Sequence, residues 1–311
     1  MNNINYSIII PHKNIPNLLQ RCLNSIPRRK DVQIIVVDDN SEPGTVDFND
    51  FPGFGESCVE VYFTKEGKGA GYARNVGLKY AVGRWLLFAD ADDYFVDGLF
   101  GYLDDYLDDD FVDVVFFNAD CVDSDTQESY KLPYFGNQLN KIITSKTKDA
   151  EWDLRYSFGP PWCKLMKKRL LDEYTITFDE TPRHNDTMFS VKIGYYAKMV
   201  IIDKRIIYHN TFRVGSISNS KNKEATVPIL MGIFIRYDNF IEASGIRNRS
   251  FKVYYALEFY LKTDMDSFLI AIRYLFLIKY NFFKKSFFYV FTRFCSIIHI
   301  ANILLRVEKI E

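Results

Sequence analysis

Two short acidic runs carry the residue types from which a phosphate-handling site could be made: Asp38-Asp39-Asn40-Ser41 and Asp90-Ala91-Asp92-Asp93. Each follows an apolar run, residues 34–37 in the first case and 85–89 in the second. Five carboxylates delivered to one place repel one another unless a cation or a proton sits between them. Hard oxygen ligands that leave room for water and phosphate suit Mg²⁺ or Mn²⁺. An ion held this way can clamp a diphosphate and neutralise the charge that grows as it leaves. Aspartate is also common in turns and at helix N-caps, so either run could serve structure alone.

A third segment, Glu66-Gly67-Lys68-Gly69-Ala70-Gly71-Tyr72-Ala73-Arg74-Asn75, is glycine-rich and leads into a helical pattern. Glycine permits close backbone approach, and a helix N-terminus favours anions. The segment has neither the Gly-Lys-Ser/Thr ending of a P-loop nor the spacing of a dinucleotide fingerprint. Arg74 falls in the first turn, where its guanidinium could contact phosphate or lock the acidic residues in place. His184-Asn185-Asp186 opens another helical pattern, and on local grounds Asn185 or Asp186 reads as its N-cap. Of the four histidines, His12, His184, His209 and His299, His209 is the first candidate for a functional role.

The elements that must position these residues follow from apolar patterning. Residues 6–10, 34–37, 59–63, 85–89 and 112–117 read as strands, several of them apolar throughout, as expected for strands covered on both faces. Residues 17–25, 71–81 and 98–107 between them read as helices. Such alternation implies right-handed crossovers and a mostly parallel, Rossmann-like α/β sheet flanked by helices. Ligands bind beyond the carboxyl ends of such strands, where both acidic runs lie. Residues 122–148 are polar and irregular. Further on, 149–156, 164–174 and 185–197 read as helices, with strands at 199–202 and 206–208. From Glu224 the pattern is helical to the end.

The 311 residues suffice for one large domain with an appendage, and a net charge of −1 gives no general attraction to nucleic acid. Five scattered cysteines fit neither a zinc motif nor a disulfide framework, so a reducing cytoplasm is expected. The first ten residues read as a strand and not as a signal peptide. A polar junction near 222 sets off a helical C-terminal region, 223–311. Within it, residues 251–311 hold nine Lys or Arg against five acids, and 268–294 hold eight Phe. Mixed aromatic and basic helices suit a membrane interface, or the packing of a helical subdomain. No uninterrupted apolar run of about 20 residues is present, so a membrane span is not expected.

Taken in order, several of these residues resemble glycosyltransferase family 2, with the GT-A fold. They are Ser7-Ile8-Ile9-Ile10-Pro11, Val36-Val37-Asp38-Asp39-Asn40-Ser41, Gly71-Tyr72-Ala73-Arg74-Asn75-Val76-Gly77 and Trp85 to Asp93. The likeness is tight over residues 4–120 and looser to about 218. There Pro161-Trp162-Cys163-Lys164-Leu165 resembles the segment before the acceptor site, and His184 to Ser190 the second acidic motif. The family more often has Glu-Asp where this chain has Asn185-Asp186. Arg213 to Ser218 resembles the loop that closes over the diphosphate, where some members carry a histidine.

The resemblance implies a catalytic domain over 1–222, with a nucleotide-sugar half at 1–120 and an acceptor half at 121–222. It implies an inverting transferase that moves a sugar from a nucleotide-sugar, UDP-linked by family habit, to a hydroxyl of a glycan or lipid-linked glycan in bacterial surface polysaccharide assembly. Pro11 and Asp39 would contact the base, Asp90 the ribose or the ion, and Arg213 the diphosphate, with Arg74 on the donor side. Asp92 would be the main ligand of Mn²⁺ or Mg²⁺, Asp186 the catalytic base, and Trp162 an acceptor contact. A processive synthase is disfavoured, since no Gln-x-x-Arg-Trp motif is present. A nucleotidyltransferase on a similar sheet and a non-catalytic sugar- or membrane-binding module are the alternatives.

Overall fold

The computed structural model describes residues 4–130, 135–145, 147, 149–213, 222–246 and 251–279. Two compact units divide the chain after Val253. The expected junction near 222 lies inside the first unit.

The first unit is built on an eight-stranded sheet: β1 (Tyr6–His12), β2 (Val32–Asp38), β3 (Val59–Phe63), β4 (Trp85–Phe88), β5 (Tyr94–Phe95), β6 (Val114–Asp123), β7 (Lys164–Lys167) and β8 (Val200–Phe212). Their order is β3-β2-β1-β4-β7-β6-β8-β5. Every residue of β1 and β2 is buried, which explains their unbroken apolar runs. β1 pairs in parallel with β2 and β4, and β2 with β3. This half meets the expectation of a parallel sheet. The other half is mixed: β7 runs antiparallel to β4 and β6, β5 antiparallel to β8, and β6 parallel to β8.

The chain lays β2 and β3 on one side of β1, then returns to place β4 on the other. The carboxyl ends of β1 and β4 therefore flank a topological switch point, the place where such sheets leave a crevice for ligand. Pro11 fits there without losing a ladder bond. Ile9 is the last β1 residue paired with β4, and Ile9 O accepts the bond from Ala89 N. Alternate residues face the same neighbour, so the Pro11 nitrogen points past the end of β4.

Helices follow from local signals. α1 (Pro16–Asn24) opens on proline, whose fixed φ suits the first turn. α2 (Ala70–Tyr80) is entered through Gly69, at φ +98°, and packs on β1 and β2. Within it Gly71 is needed for close approach, because a Cβ there would lie 2.0 Å from Asp179 O. α3 (Leu99–Leu103) ends in a 3-10 turn, Asp104–Tyr106. The polar stretch read as irregular carries the end of β6 and α4 (Phe135–Thr144), whose buried stripe is Gly136, Leu139 and Ile143. α5 (Asp149–Tyr156), α6 (Lys168–Glu173), α7 (Thr187–Tyr196) and α8 (Lys223–Ala243) complete the first unit. α9 (Lys252–Thr263) begins at the division, and α10 (Met265–Leu277) belongs to the second unit.

One expectation is corrected outright. Residues 164–174 read as a single helix, but 164–167 form β7 and only 168–173 are helical. Leu, Met and Lys are good helix formers. Here the slot between β4 and β6 decides, with Met166 paired to both Leu86 and Val114. The two strands expected at 199–202 and 206–208 are one, β8. Among the described residues no helix is long and apolar enough to cross a membrane.

Candidate functional site

The end of β1 and β2 is a hydrogen-bonded frame. Ile15 N–H donates to His12 Nε2 at 3.1 Å, so the ring proton sits on Nδ1, which donates to Asp38 Oδ1 at 2.7 Å. Asp38 also accepts from Ser41 N at 2.9 Å and Ser41 Oγ at 2.5 Å. Burial raises the Asp38 carboxyl, but the bonds from His12 and Ser41 outweigh it and hold the group below the ordinary carboxylate range. Asp38 is thus committed to structure. Asp39 is the residue that reaches across: its Oδ2 accepts from Gly69 N at 2.7 Å, which docks the glycine-rich turn onto the end of β2.

The end of β4 divides its three carboxylates by role. Asp93 N donates to Asp90 O at 3.0 Å, closing a tight turn. Asp93 is fully buried and faces β8, accepting from Thr211 N at 2.7 Å and Asn210 Nδ2 at 3.1 Å. Burial, then the charges of Asp92 and Asp90, push its carboxyl well up. Asp92 is aimed through its backbone: its carbonyl accepts from Arg21 Nη2 at 2.6 Å and Thr211 Oγ1 at 2.7 Å. Its carboxylate is partly open, with Arg213 Nη2 at 3.6 Å. Burial and the Asp90 charge raise it, against the pull of Arg213. Of the five carboxylates expected at this edge, Asp38 and Asp93 are therefore spent on the frame.

Arg74 joins two parts of the chain that are far apart in sequence. Nη2 donates to Asp90 Oδ1 at 2.5 Å and Nη1 to Asn185 Oδ1 at 2.9 Å. Of the two roles open to it from the sequence, locking the acidic run is the one the geometry displays. Asn185 takes with a neutral oxygen the place where the family more often has glutamate. Asp186 follows at the N-cap of α7, yet its side chain makes no capping bond, and among the described residues nothing hydrogen-bonds its carboxylate. The capping reading of Asp186 therefore loses its local support.

Trp162 is 2% exposed, stacked on Tyr208 at 5.3 Å and edge-on to Phe158. Its ring offers no open face, so any hold on an acceptor is indirect. Tyr208 in turn accepts from Asp90 N at 2.8 Å, which couples this wall to the acidic turn. His209 points elsewhere: Nδ1 lies 2.5 Å from Asp120 Oδ1 and the ring packs on Tyr94. Sequence reading missed Asn185, Tyr208 and Arg21 as site residues. A hint existed for Asn185 alone, in its departure from the family pattern. The segment 214–218, expected to close over a diphosphate, lies outside the described residues, as do residues 280–311.

Among the described residues no group of three His, Cys, Asp or Glu side chains is placed to hold a metal. Asp90 and Asp92 are nevertheless hard oxygen donors, 33% and 26% exposed at the side chain. Burial first, and then the Asp90 charge, raises the Asp92 carboxyl, and a divalent ion would offset both by favouring the ionised form. These two carboxylates are oxygen donors of the type that Mg²⁺ or Mn²⁺ takes, each also facing an arginine, Arg74 at Asp90 and Arg213 at Asp92.

Comparison with known proteins agrees with this geometry. A family model described as glycosyl transferase family 2 matches residues 7–175, more than half of the chain. The chain belongs to glycosyl transferase family 2. Glycosyltransferase GlyA of Streptococcus pneumoniae is 26% identical to this family 2 chain over 234 residues, 68% of the chain and 31% of that protein. The poly(ribitol-phosphate) beta-glucosyltransferase of Bacillus spizizenii is 37% identical over 93 residues, 28% of the chain and 15% of that protein. The chain thus spans less than a third of the length of either. S. aureus TarS 1–349, solved in complex with UDP-GlcNAc, superposes with a TM-score of 0.64 at 22% identity, over 88% of this chain and 80% of that one. A mannosyltransferase from Pyrobaculum calidifontis, solved with GDP-Man and Mn²⁺, gives 0.54 at 17% identity, over 96% and 81%. At these identities the likeness is one of fold, and the mixed sheet flanked by helices is the GT-A architecture expected from the sequence.

Proposed function

We propose that this family 2 chain is an inverting glycosyltransferase that moves a sugar from a UDP-linked donor to a hydroxyl acceptor during assembly of a bacterial surface glycan. The observation that carries the reading is the Arg74 bridge. One guanidinium holds both the acidic turn at Asp90 and the residue before Asp186, so donor-side and acceptor-side machinery share one anchor. TarS was solved with UDP-GlcNAc and the Bacillus enzyme is a poly(ribitol-phosphate) beta-glucosyltransferase, which favours a UDP-sugar and a polymer acceptor for this chain as well.

In this mechanism the acceptor oxygen forms a bond to the sugar C1 while the C1–O bond to the diphosphate breaks. The acceptor proton passes to Asp186, and the electron pair leaves with the nucleoside diphosphate. Asp186 suits the role because it stands at the N-terminus of α7 with a side chain that makes no capping bond. Pro11 and Asp39 line the base end, while Arg74 and Arg213 place positive charge on the donor side. Asp92, with Asp90, would hold Mn²⁺ or Mg²⁺, which when bound neutralises charge on the leaving diphosphate. Trp162 supports the acceptor wall from behind. UDP release from a panel of UDP-sugars tests the reading: turnover of at least one is expected, and none with any donor, in the presence of Mn²⁺, removes it.

We further propose that the C-terminal region, 223–311, rests on a membrane surface that presents a lipid-linked acceptor. In the second unit Leu269 and Phe276, seven residues apart on α10, are exposed together with Phe259. Flotation with anionic liposomes should carry the chain to the top of a gradient. A chain that stays at the bottom sinks the idea.

A further inference from the structure

Lys164 opens β7 and is 1% exposed. Its Nζ donates to Phe158 O at 2.9 Å, Pro160 O at 2.7 Å and Ser190 Oγ at 2.8 Å. Ser190 Oγ then donates its own proton to Gly159 O. Three successive carbonyls, at 158, 159 and 160, are thereby held by two side chains. Three acceptors around one amine call for all three protons of the ammonium form. Burial lowers this lysine to about 7, and of the charges opposing that shift the first is Asp186.

The held segment is a wall of the Asp186 site. A Cβ at Gly159 would lie 3.9 Å from Asp186 Oδ1 and 3.9 Å from Thr187 Oγ1. Ser190 is one turn along α7, and its N–H donates to Asp186 O at 2.9 Å. The wall and the carboxylate therefore share an anchor. A buried lysine placed for core packing would be a costly choice, since an aliphatic residue fills space without desolvating a charge.

We propose that Lys164 is a positioning residue that fixes the Phe158-Gly159-Pro160 wall against Asp186 and so sets the approach of the attacking hydroxyl. The proposal rests on the catalytic reading of Asp186, but its structural half is testable without turnover. In Lys164→Met, hydrogen exchange of peptides covering 157–162 should rise about tenfold or more while β1 and β2 keep their protection. Ser190→Ala should do the same to a smaller degree, and serves if Lys164→Met does not fold. With UDP-GlcNAc and Mn²⁺, kcat for donor cleavage should fall about tenfold in either variant while the donor KM stays within about twofold. Unchanged exchange at 157–162 in a folded variant would overturn the proposal, as would kcat and KM moving together. If the wild-type chain cleaves no UDP-sugar, the function reading fails, and the exchange measurement still decides whether Lys164 holds the wall.

Discussion

Asp186→Asn is expected to lower sugar transfer about 10³-fold, the middle of the range for a lost general base. Asparagine keeps the shape of aspartate but cannot accept the acceptor proton at neutral pH. Donor affinity should stay within about twofold, because Asp186 acts on the acceptor and not on the nucleotide. Stability should also hold. Asparagine caps helices as well as aspartate does, and the Asp186 side chain makes no capping bond to lose. This separates the two readings of Asp186 cleanly: a residue that only starts α7 would tolerate asparagine with normal turnover. Steady-state kinetics with the variant, alongside its melting temperature, make the measurement.

Removal of divalent ions should have an effect of similar size. EDTA is expected to lower turnover at least about 10²-fold, with Mn²⁺ restoring it, since charge on a leaving diphosphate would otherwise go uncompensated. Asp92→Asn should behave as a chain with weakened metal affinity, needing more Mn²⁺ for the same rate. The pH dependence has a definite sign. The folded state raises Asp92 above its ordinary 3.8, by burial and the Asp90 charge. Without metal, the stability this group contributes is fully present below the unfolded value and is lost as pH rises through the raised folded value. A bound ion prefers the ionised carboxylate, so the gain in melting temperature on adding Mn²⁺ should be small at low pH and grow toward neutrality. At about 100 times its dissociation constant the ion adds about 2.7 kcal/mol, or roughly 4–8 °C for a chain of this size. Full turnover in EDTA would remove Asp92 from a metal role.

The fold, and the place in it where the candidate site residues gather, were legible because the strands that carry them are buried on both faces. β1, β2 and β4 announce themselves as apolar runs, and the acidic residues come directly after. What could not be read was the division of labour among those acids. Whether Asp38 points to His12 or to a ligand depends on the register His12↔Asp38 across β1 and β2, which no local pattern encodes. The same holds for Asp93, whose partners Asn210 and Thr211 lie more than a hundred residues away. β7 was misread because Lys164-Leu165-Met166-Lys167 has helical propensities and gains its strand pairing only from β4 and β6. Arg74 was legible as important, and its choice between phosphate and carboxylate was not.

Inversion at the sugar C1 with Asp186 as the base fixes the configuration of the first product. Time-resolved ¹H NMR of the wild-type chain with Mn²⁺ and the UDP-α-sugar it turns over tests this most directly. The first sugar product, whether joined to an acceptor or to water, should carry the β configuration, and Asp186→Asn should form it about 10³-fold more slowly. A first product with the α configuration, or β product formed at the wild-type rate by Asp186→Asn, would contradict the account.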